Sequence, residues 1–223
     1  GLRVAVQGTG HGAAALGDLR DTLLVRTTRM RGVQVDPVRR RARVEAGAIW
    51  DDVVRPTVEL GLAALHGSSP DVGVAGYTLG GGIGWLARLY GLASNSVTAI
   101  ELVTAAGDIV RVDDDHDADL FWGLRGAGGS FGVVTALELE LFPLEHAYAG
   151  WLVWDWEHAE DVLDRWVDWT STTPTGVTST ARVLRLPPIE AIPAPLRGRD
   201  LVVVEAAYVG GEESGAGIAS IGG

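Results

Sequence analysis

Three clusters of glycine constrain this chain more than any other feature of its sequence. They lie at residues 8–12, 67–84 and 126–132. Glycine lets the backbone adopt positive φ and lets a ligand approach main-chain N–H groups closely. Successive N–H groups in such turns form an anion-binding concavity, and the pyrophosphate of a dinucleotide is its natural occupant. The clusters therefore predict a dinucleotide site.

The first cluster, taken alone, has two interpretations. Residues 4–13 fit G-x-G-x-x-A after an apolar strand, which is the Rossmann fingerprint of nicotinamide-dependent oxidoreductases. Gly17 would interrupt the helix that this fold needs, and Arg26 and Arg29 stand where an acidic residue is expected. The next segment, 32–47, alternates like an antiparallel hairpin, whereas a Rossmann unit needs parallel strands. A nicotinamide-dependent enzyme stays open as an alternative at this point.

The other elements follow from hydrophobic periodicity. A helix is expected at 49–60, where Pro56 would kink it or delay its start, and another at 117–124. Pro143 is expected to end a strand and the first domain. Further strands are predicted at 3–7, within 21–27, in a hairpin at 97–112, and at 133–142, 151–156, 178–186 and 201–208. An acidic helix is predicted at 158–169 and an unfinished element at 210–223.

Composition excludes several kinds of site and partner. The net charge is −11, so the basic surface that nucleic acid requires is missing. All 18 basic residues are arginine and cysteine is absent, which excludes a P-loop lysine, a Schiff base and a cysteine-ligated metal in this chain. The acidic run at 113–117 does not converge on one ion, so no metal site is predicted.

Sequence patterns also bear on location. No apolar run is long enough to span a membrane, and no signal peptide is visible. These features favour a soluble, cytoplasmic protein over a secreted one. Because the chain opens at Gly1 without methionine, its true N-terminus is expected to be missing.

The second cluster is far more specific than the first. Residues 67–85 read G-S-S-P-D-V-G-V-A-G-Y-T-L-G-G-G-I-G-W. Y-G-L-A at 90–93, D-L-F-W-G-L-R-G at 119–126 and F-G-V-V-T at 131–135 follow in order. Over residues 1–144 the chain resembles the FAD-linked oxidases with a PCMH-type FAD-binding domain, of the berberine-bridge-enzyme-like and vanillyl-alcohol-oxidase type.

This resemblance implies an α+β fold in two parts. Residues 1–146 would form the PCMH-type FAD-binding domain of two α+β subdomains, without the family's opening strand–helix unit. Residues 147–223 would begin a substrate-binding domain, an antiparallel sheet backed by helices, of which the larger part is absent.

The resemblance also implies that FAD is the cofactor and which residues contact it. These are Gly8, Thr9, Gly10, His11, Gly12, Ser69, Val72, Gly73, Gly76, Gly80, Gly81, Gly84, Asn95, Gly132 and Val134. Among them, His11 matches the histidine that in many members bonds covalently to the flavin 8α-methyl carbon. Some members use a cysteine as a second tether, but Ser69 occupies that position here. Singly linked and non-covalent FAD are the two options left, and of these a single bond through His11 is expected.

The implied activity is that of an oxidase, in which hydride passes from a substrate C–H bond to flavin N5 and O2 reoxidises the flavin to H2O2. The implied partners are O2 and a small molecule: a sugar, an alcohol or another natural product. A dehydrogenase and a non-catalytic remnant of the FAD fold are the alternatives. Because the base usually comes from the substrate domain, no catalytic residue is named, and Ile83 stands where some relatives carry an active-site tyrosine.

Two further features are expected to be structural, and a third is left open. His66 precedes the second cluster and is interpreted as a loop residue. Tyr77 is left open between packing and contact with substrate. The tryptophans at 151–169 are expected to be buried in the core of the second part, with the acidic residues of the helix facing water.

Overall fold

A computed structural model of the chain describes residues 3–210 and divides it between Glu145 and His146. We call the two parts the N-terminal unit and the C-terminal unit. The unfinished element expected at 210–223 lies, beyond Gly210, outside the described residues.

Within residues 3–145, the N-terminal unit holds four α-helices and nine strands. The helices are α1 (Trp50–Val58), α2 (Val74–Leu79), α3 (Ala87–Tyr90) and α4 (Ala118–Leu124). The strands are β1 (Arg3–Gln7), β2 (Thr22–Arg26), β3 (Val33–Asp36), β4 (Arg41–Glu45), β5 (Leu62–Ala63), β6 (Val97–Val103), β7 (Ile109–Val112), β8 (Val133–Glu140) and β9 (Phe142–Pro143). Short 3₁₀ turns lie at Ala13–Leu16 and Ala93–Ser96.

An antiparallel sheet in the order β3-β4-β8-β6-β7 forms the centre of this unit. Its strands alternate as the sequence predicts, because Val44 and Ile100 both lie opposite Leu137 and all three side chains are buried. The other face carries cross-strand ion pairs, such as Arg43–Glu101 at 3.1 Å. The core thus lies on one face only, which is typical of an antiparallel sheet with one wet side.

Helix α1 packs on this core through Trp50, Val53 and Thr57, which are all buried. Its first turn is closed by Asp52, whose carboxylate accepts the N–H of Ile49 at 3.0 Å. Pro56 lies inside the helix and does not delay its start.

The first two strands depart from the sequence-based argument. β1 and β2 pair in parallel, from Arg3 opposite Thr22 to Gln7 opposite Arg26. The hairpin expected at 32–47 is confirmed, and its two strands are β3 and β4. The connection from β1 to β2 contains one 3₁₀ turn in place of a long helix, and Gly17 follows that turn at φ +65°. A parallel pair is therefore present without the helical crossover of a Rossmann unit.

The C-terminal unit holds β10 (Tyr148–Asp155), a 3₁₀ turn at Trp156–His158, α5 (Ala159–Thr172), β11 (Val177–Arg185) and β12 (Asp200–Tyr208). The strands form an antiparallel sheet in the order β10-β12-β11. Ala159 and Val162 of α5 pack on Val202 and Val204 of β12. The mixed helices and antiparallel sheets of both units confirm the α+β fold class.

Of the five tryptophans of the C-terminal unit, two pack on its core, two are exposed, and Trp169 is intermediate in burial. Trp154 and Trp166 pack against its core, and the indole N–H of Trp166 donates to Ser179 Oγ at 2.9 Å. Trp151 and Trp156 are 61% and 41% exposed, so the expectation that the tryptophans are buried is wrong for these two. Strand β10 turns alternate side chains to opposite faces of its sheet, and only one face meets α5.

Candidate functional site

Residues of all three glycine clusters line one groove in the N-terminal unit. Its volume is about 400 Å³, which lies within the roughly 300–1,000 Å³ of ordinary ligand sites. Most of the lining comes from segments 6–13, 72–79 and 129–134. We call residues 8–12 the first wall, residues 72–76 the second wall and residues 126–134 the third wall. Among the described residues that line it, none is an arginine, an aspartate or a glutamate.

The first wall is the loop at residues 8–12, which follows β1. Gly10 has φ +90°, and the Gln7 side chain lies so close that a Cβ at Gly10 would be 2.5 Å from Gln7 Nε2. The turn is closed by the N–H of Ala13, which donates to Gly10 O at 3.0 Å. Within the described part of the chain, the N–H groups of residues 9–12 donate to no acceptor. They are therefore available to an anion in the groove.

The second wall, residues 72–76, is held against the start of α1. The N–H of Trp50 donates to Val72 O at 3.0 Å, and the N–H of Asp51 donates to Pro70 O at 2.9 Å. Gly73 brings this wall against the first, since a Cβ at Gly73 would lie 3.4 Å from Thr9 Oγ1. The two walls thus meet without an intervening side chain.

Gly12 and Gly76 leave the groove open. Both residues line it, and a Cβ at either would meet no atom within 4 Å. The chain's own packing therefore does not require glycine at these two positions. A side chain there would instead occupy space that a ligand could fill.

The third wall completes the groove beside α2. The N–H groups of Gly126 and Gly128 both donate to Leu79 O, at 2.9 and 3.0 Å, and so cap the end of that helix. Gly132 stands where β8 begins, and a Cβ there would lie 2.5 Å from Val103 O. Only glycine lets β8 approach β6 this closely.

Ten of the fifteen residues predicted to contact the cofactor line the groove. They are Gly8, Thr9, Gly10, His11, Gly12, Val72, Gly73, Gly76, Gly132 and Val134. The other five do not line it: Ser69, Gly80, Gly81, Gly84 and Asn95. Asn95 caps a turn, because its Oδ1 accepts the N–H of Leu92 at 3.2 Å. Ser69 is exposed in the turn that precedes the second wall.

Several lining residues carry no sequence signal. Thr27 reaches the groove because β2 pairs in parallel with β1, and its Oγ1 donates to Ala46 O at 3.2 Å. Ala46 and Leu79 line the groove as ordinary apolar residues. Since their placement depends on strand pairing distant in sequence, no local motif reveals them.

Tyr77 also lines the groove, and its surroundings favour packing over contact with substrate. Its ring meets Trp50 edge-to-face at 5.5 Å. Gly82 makes room for that ring, since a Cβ at Gly82 would lie 2.5 Å from Tyr77 Cε1. The Tyr77 hydroxyl is shielded from solvent and has no hydrogen-bond partner among the described residues. Burial raises the pKa of Tyr77 to about 12.

His11 is the one imidazole among the described residues that line the groove. Its side chain is 49% exposed, so the ring remains accessible. Its Nε2 atom lies 3.5 Å from Oδ2 of Asp71, which belongs to the second cluster. Asp71 was not singled out from the sequence, because the contact joins residues 60 positions apart.

His66 and the acidic run lie elsewhere and have structural contacts. His66 is not a lining residue, and its ring lies 6.3 Å from that of Trp50. In the run at 113–117, Asp113 pairs with Arg111 and with His116. Within residues 3–210, no three histidines or acidic residues converge as metal ligands. Across the same residues, no helix has the length and apolar character of a membrane span.

Comparison with known proteins gives a consistent result. The FAD binding domain family matches residues 1–113. The (R)-6-hydroxynicotine oxidase of Paenarthrobacter nicotinovorans is 38% identical over 155 residues, which cover 69% of this chain and 34% of that protein.

Two solved structures extend the likeness to the whole fold. That of 6-hydroxy-D-nicotine oxidase from Arthrobacter nicotinovorans matches with a TM-score of 0.85 and 29% identity, covering 99% of this chain and 47% of that one. Phl p 4.0202, a glucose dehydrogenase, matches with a TM-score of 0.78 and 27% identity, covering 96% and 42%. The chain thus spans between 34% and 47% of the length of these three proteins.

Proposed function

This chain belongs to the FAD-linked oxidoreductases that carry a PCMH-type FAD-binding domain, and we propose that the protein is an FAD-dependent oxidase acting on a small organic substrate. The N-terminal unit would bind FAD, and the C-terminal unit would begin the substrate-binding domain. The observation that carries this proposal is the groove, where three glycine-rich walls meet around unused main-chain N–H groups.

The groove suits the pyrophosphate of FAD. The N–H groups of residues 9–12 are free to donate, and Gly12 and Gly76 leave open space beside them. Because no arginine is among the described lining residues, the phosphates would be held by backbone dipoles. Gly132 and Val134 would contact the same cofactor from the third wall.

The reaction proposed is the one that the family resemblance implies. When bound, FAD would supply the oxidising group: its N5 would take hydride from a substrate C–H bond, and the electron pair would pass on to O2, which would leave as H2O2. The relatives are named as acting on hydroxynicotine and on glucose, which favours a substrate with an oxidisable carbon beside oxygen or nitrogen. We propose a sugar, an alcohol or another natural product.

We further propose that His11 is the covalent tether of the flavin, and the only one in this chain. Its imidazole is accessible on the groove. This chain has no cysteine, and Ser69 carries a hydroxyl in place of a thiol. A second bond to FAD of the thioether type therefore cannot form within this chain. A substituent at the 8α carbon would raise the flavin potential and favour oxidation of the substrate.

The decisive experiment is to purify the full-length protein, record its visible spectrum and precipitate it with acid. We expect a flavin spectrum, with the yellow colour in the protein pellet. His11→Ala should move the colour to the supernatant, whereas His158→Ala, which changes an exposed histidine of the C-terminal unit, should leave it in the pellet. Wild-type protein that never carries flavin would contradict the proposal.

The electron acceptor can be tested separately. With a substrate found by screening, an oxidase consumes O2 and releases one equivalent of H2O2 for each substrate oxidised. A dehydrogenase, such as the glucose dehydrogenase that shares this fold, would turn over with an artificial acceptor while O2 uptake stayed at background. That second result would overturn the oxidase assignment and leave FAD binding intact.

A further inference from the structure

Asp71 directly precedes the second wall of the groove and does not line it, and its side chain lies against that of His11 from the first wall. The distance between His11 Nε2 and Asp71 Oδ2 is 3.5 Å, which is within ion-pairing range. No other carboxylate of the described residues lies within 4.0 Å of His11. The imidazole therefore has one nitrogen directed towards an acidic group and one that is not paired with a carboxylate.

The backbone on both sides of Asp71 is fixed. The carbonyls of Pro70 and Val72 accept the N–H groups of Asp51 and Trp50, at 2.9 and 3.0 Å. These bonds join the segment to the start of α1, whose Trp50 is almost fully buried. Asp71 thus stands on an anchored turn, although its own side chain is 72% exposed.

We propose that Asp71 positions His11 for covalent attachment to FAD and directs the new bond to Nδ1. This inference rests on the proposed function, in which FAD occupies the groove. A carboxylate facing Nε2 favours the tautomer that carries its proton there, which leaves the Nδ1 lone pair free to attack. The same carboxylate stabilises the positive charge that grows on the ring as the bond forms.

Attachment of His11 to the flavin breaks one C–H bond and one N–H bond and forms one C–N bond. One C–H bond of the flavin 8α-methyl group breaks and one bond forms between that carbon and His11 Nδ1. The methyl proton and the imidazole N–H proton are released, and the electron pair of the C–H bond passes to the flavin ring. O2 takes this pair together with two protons and leaves as H2O2, which restores the oxidised flavin.

Asp71 is a positioning residue in this scheme, because it acts through His11 and does not itself bond to the flavin. Partners that orient a histidine in this way are worth about 10- to 100-fold where they have been removed at metal sites. Attachment should therefore slow by at least about tenfold in Asp71→Asn. Non-covalent affinity for FAD should change little, since the pyrophosphate contacts lie on other residues.

The test follows attachment over time. Full-length protein made without flavin is mixed with FAD, samples are precipitated with acid, and the flavin in the pellet is measured. Flavin fluorescence gives the dissociation constant before the bond forms. Asp71→Asn should bind FAD like the wild type but attach it at least tenfold more slowly, and Asp71→Glu should recover part of the rate.

A matched control and the site of the bond complete the test. Asp18→Asn removes an exposed carboxylate of the same unit that pairs with Arg20 at 2.6 Å and does not line the groove, and it should attach FAD at the wild-type rate. NMR of the flavin peptide should place the bond at Nδ1.

Each other outcome has a clear meaning. Attachment by Asp71→Asn at the wild-type rate would overturn the inference, as would a bond at Nε2. A wild-type protein that binds FAD but never retains it in acid would overturn the inference and the tether while leaving FAD binding. A wild-type protein that binds no FAD would instead overturn the proposed function.

Discussion

Glycines in this chain serve two different purposes at the scale of single residues. A Cβ at Gly47 would overlap the carbonyl oxygen of Thr27, and one at Gly84 would overlap that of His66. These positions need glycine for the chain to fold. Gly12 and Gly76 face open space, and Gly12 has φ −90°, which any residue adopts. Glycine at these two positions is instead explained by the space that a ligand in the groove requires.

The two purposes can be separated by substitution. Gly12→Leu should leave the free energy of unfolding within about 0.5 kcal/mol of the wild type, because its side chain enters open space. Affinity for FAD should fall tenfold or more, because the side chain takes the room of the cofactor. Thermal unfolding without FAD and a flavin titration measure both effects.

Gly47→Ala provides the opposite case. The added Cβ would overlap the main chain, so the free energy of unfolding should fall by about 1–3 kcal/mol. If both variants lost stability equally, the division between packing and ligand would be wrong.

Tyr77 gives a prediction about pH. Its folded pKa is raised to about 12 by burial, against about 10 in an unfolded chain. Protonated phenol is favoured in the folded state, so this contribution to stability is complete below pH 10 and is lost as pH rises towards 12. Tyr77→Phe should flatten the fall in unfolding free energy between pH 10 and 12.

At pH 7, Tyr77→Phe should be neutral or stabilising, since it removes a buried hydroxyl that has no described partner. A large loss of stability at pH 7 would show that the hydroxyl is bonded after all.

At the scale of elements, helix α1 connects the core to the second wall. Asp52 accepts the N–H of Ile49 at 3.0 Å and pairs with Arg31 at 2.7 Å. The N–H groups of Trp50 and Asp51, at the same end of the helix, hold the wall through Val72 and Pro70. The start of α1 therefore supports both the fold and the groove.

Asp52→Ala should destabilise the N-terminal unit by about 1–2 kcal/mol, because it leaves the Ile49 N–H without its cap. FAD affinity should fall as well, because the N–H groups of Trp50 and Asp51 that hold the second wall lie in the helix start that this variant loosens. Asp51→Ala is the control: it removes an exposed i,i+4 pair with Arg55 and should cost at most about 0.5 kcal/mol. Urea unfolding measures the loss of stability in each variant. Equal losses in Asp52→Ala and Asp51→Ala would contradict the role of Asp52 as a cap.

Most elements could be predicted from sequence because their signals are local. The helix at 117–124 and the hairpins at 32–47 and 97–112 follow from periodicity and turn residues. The parallel pairing of β1 and β2 could not, because Val4, Val6, Leu23 and Leu24 are all substantially exposed and their pattern does not fix strand direction. The site follows the same rule: glycines reveal its walls, while Thr27 and Asp71 reach it through contacts distant in sequence.

At the scale of the whole molecule, each unit has a core cluster of its own. In the N-terminal unit this cluster includes Trp50, Phe121 and Leu137, and in the C-terminal unit Val162, Val202 and Val204. A ligand that binds only the folded state stabilises the unit that holds it. The groove, on the described residues, is lined by the N-terminal unit alone.

FAD should therefore stabilise the N-terminal unit. At a free FAD concentration of 100 times the dissociation constant, its unfolding free energy should rise by about 2.7 kcal/mol. Amide hydrogen exchange in β4 and β8 reports this directly and should slow about 100-fold if exchange there requires that unit to unfold. The measurement uses His11→Ala, which would lack the proposed tether and so bind FAD reversibly, and adding Gly12→Leu should reduce the slowing to about tenfold or less. Unchanged exchange at saturating FAD would mean that the cofactor binds elsewhere.

The two kinds of glycine also carry a historical consequence. In descendants that ceased to use a flavin, selection would still remove side chains at Gly47 and Gly84, because those side chains would clash with the main chain and destabilise the fold. Gly12 and Gly76 would be released and would drift towards other residues within the same intact fold. Glycine retained at both positions would thus mark lineages that still use the cofactor. Its loss would identify proteins that keep the fold but no longer bind flavin.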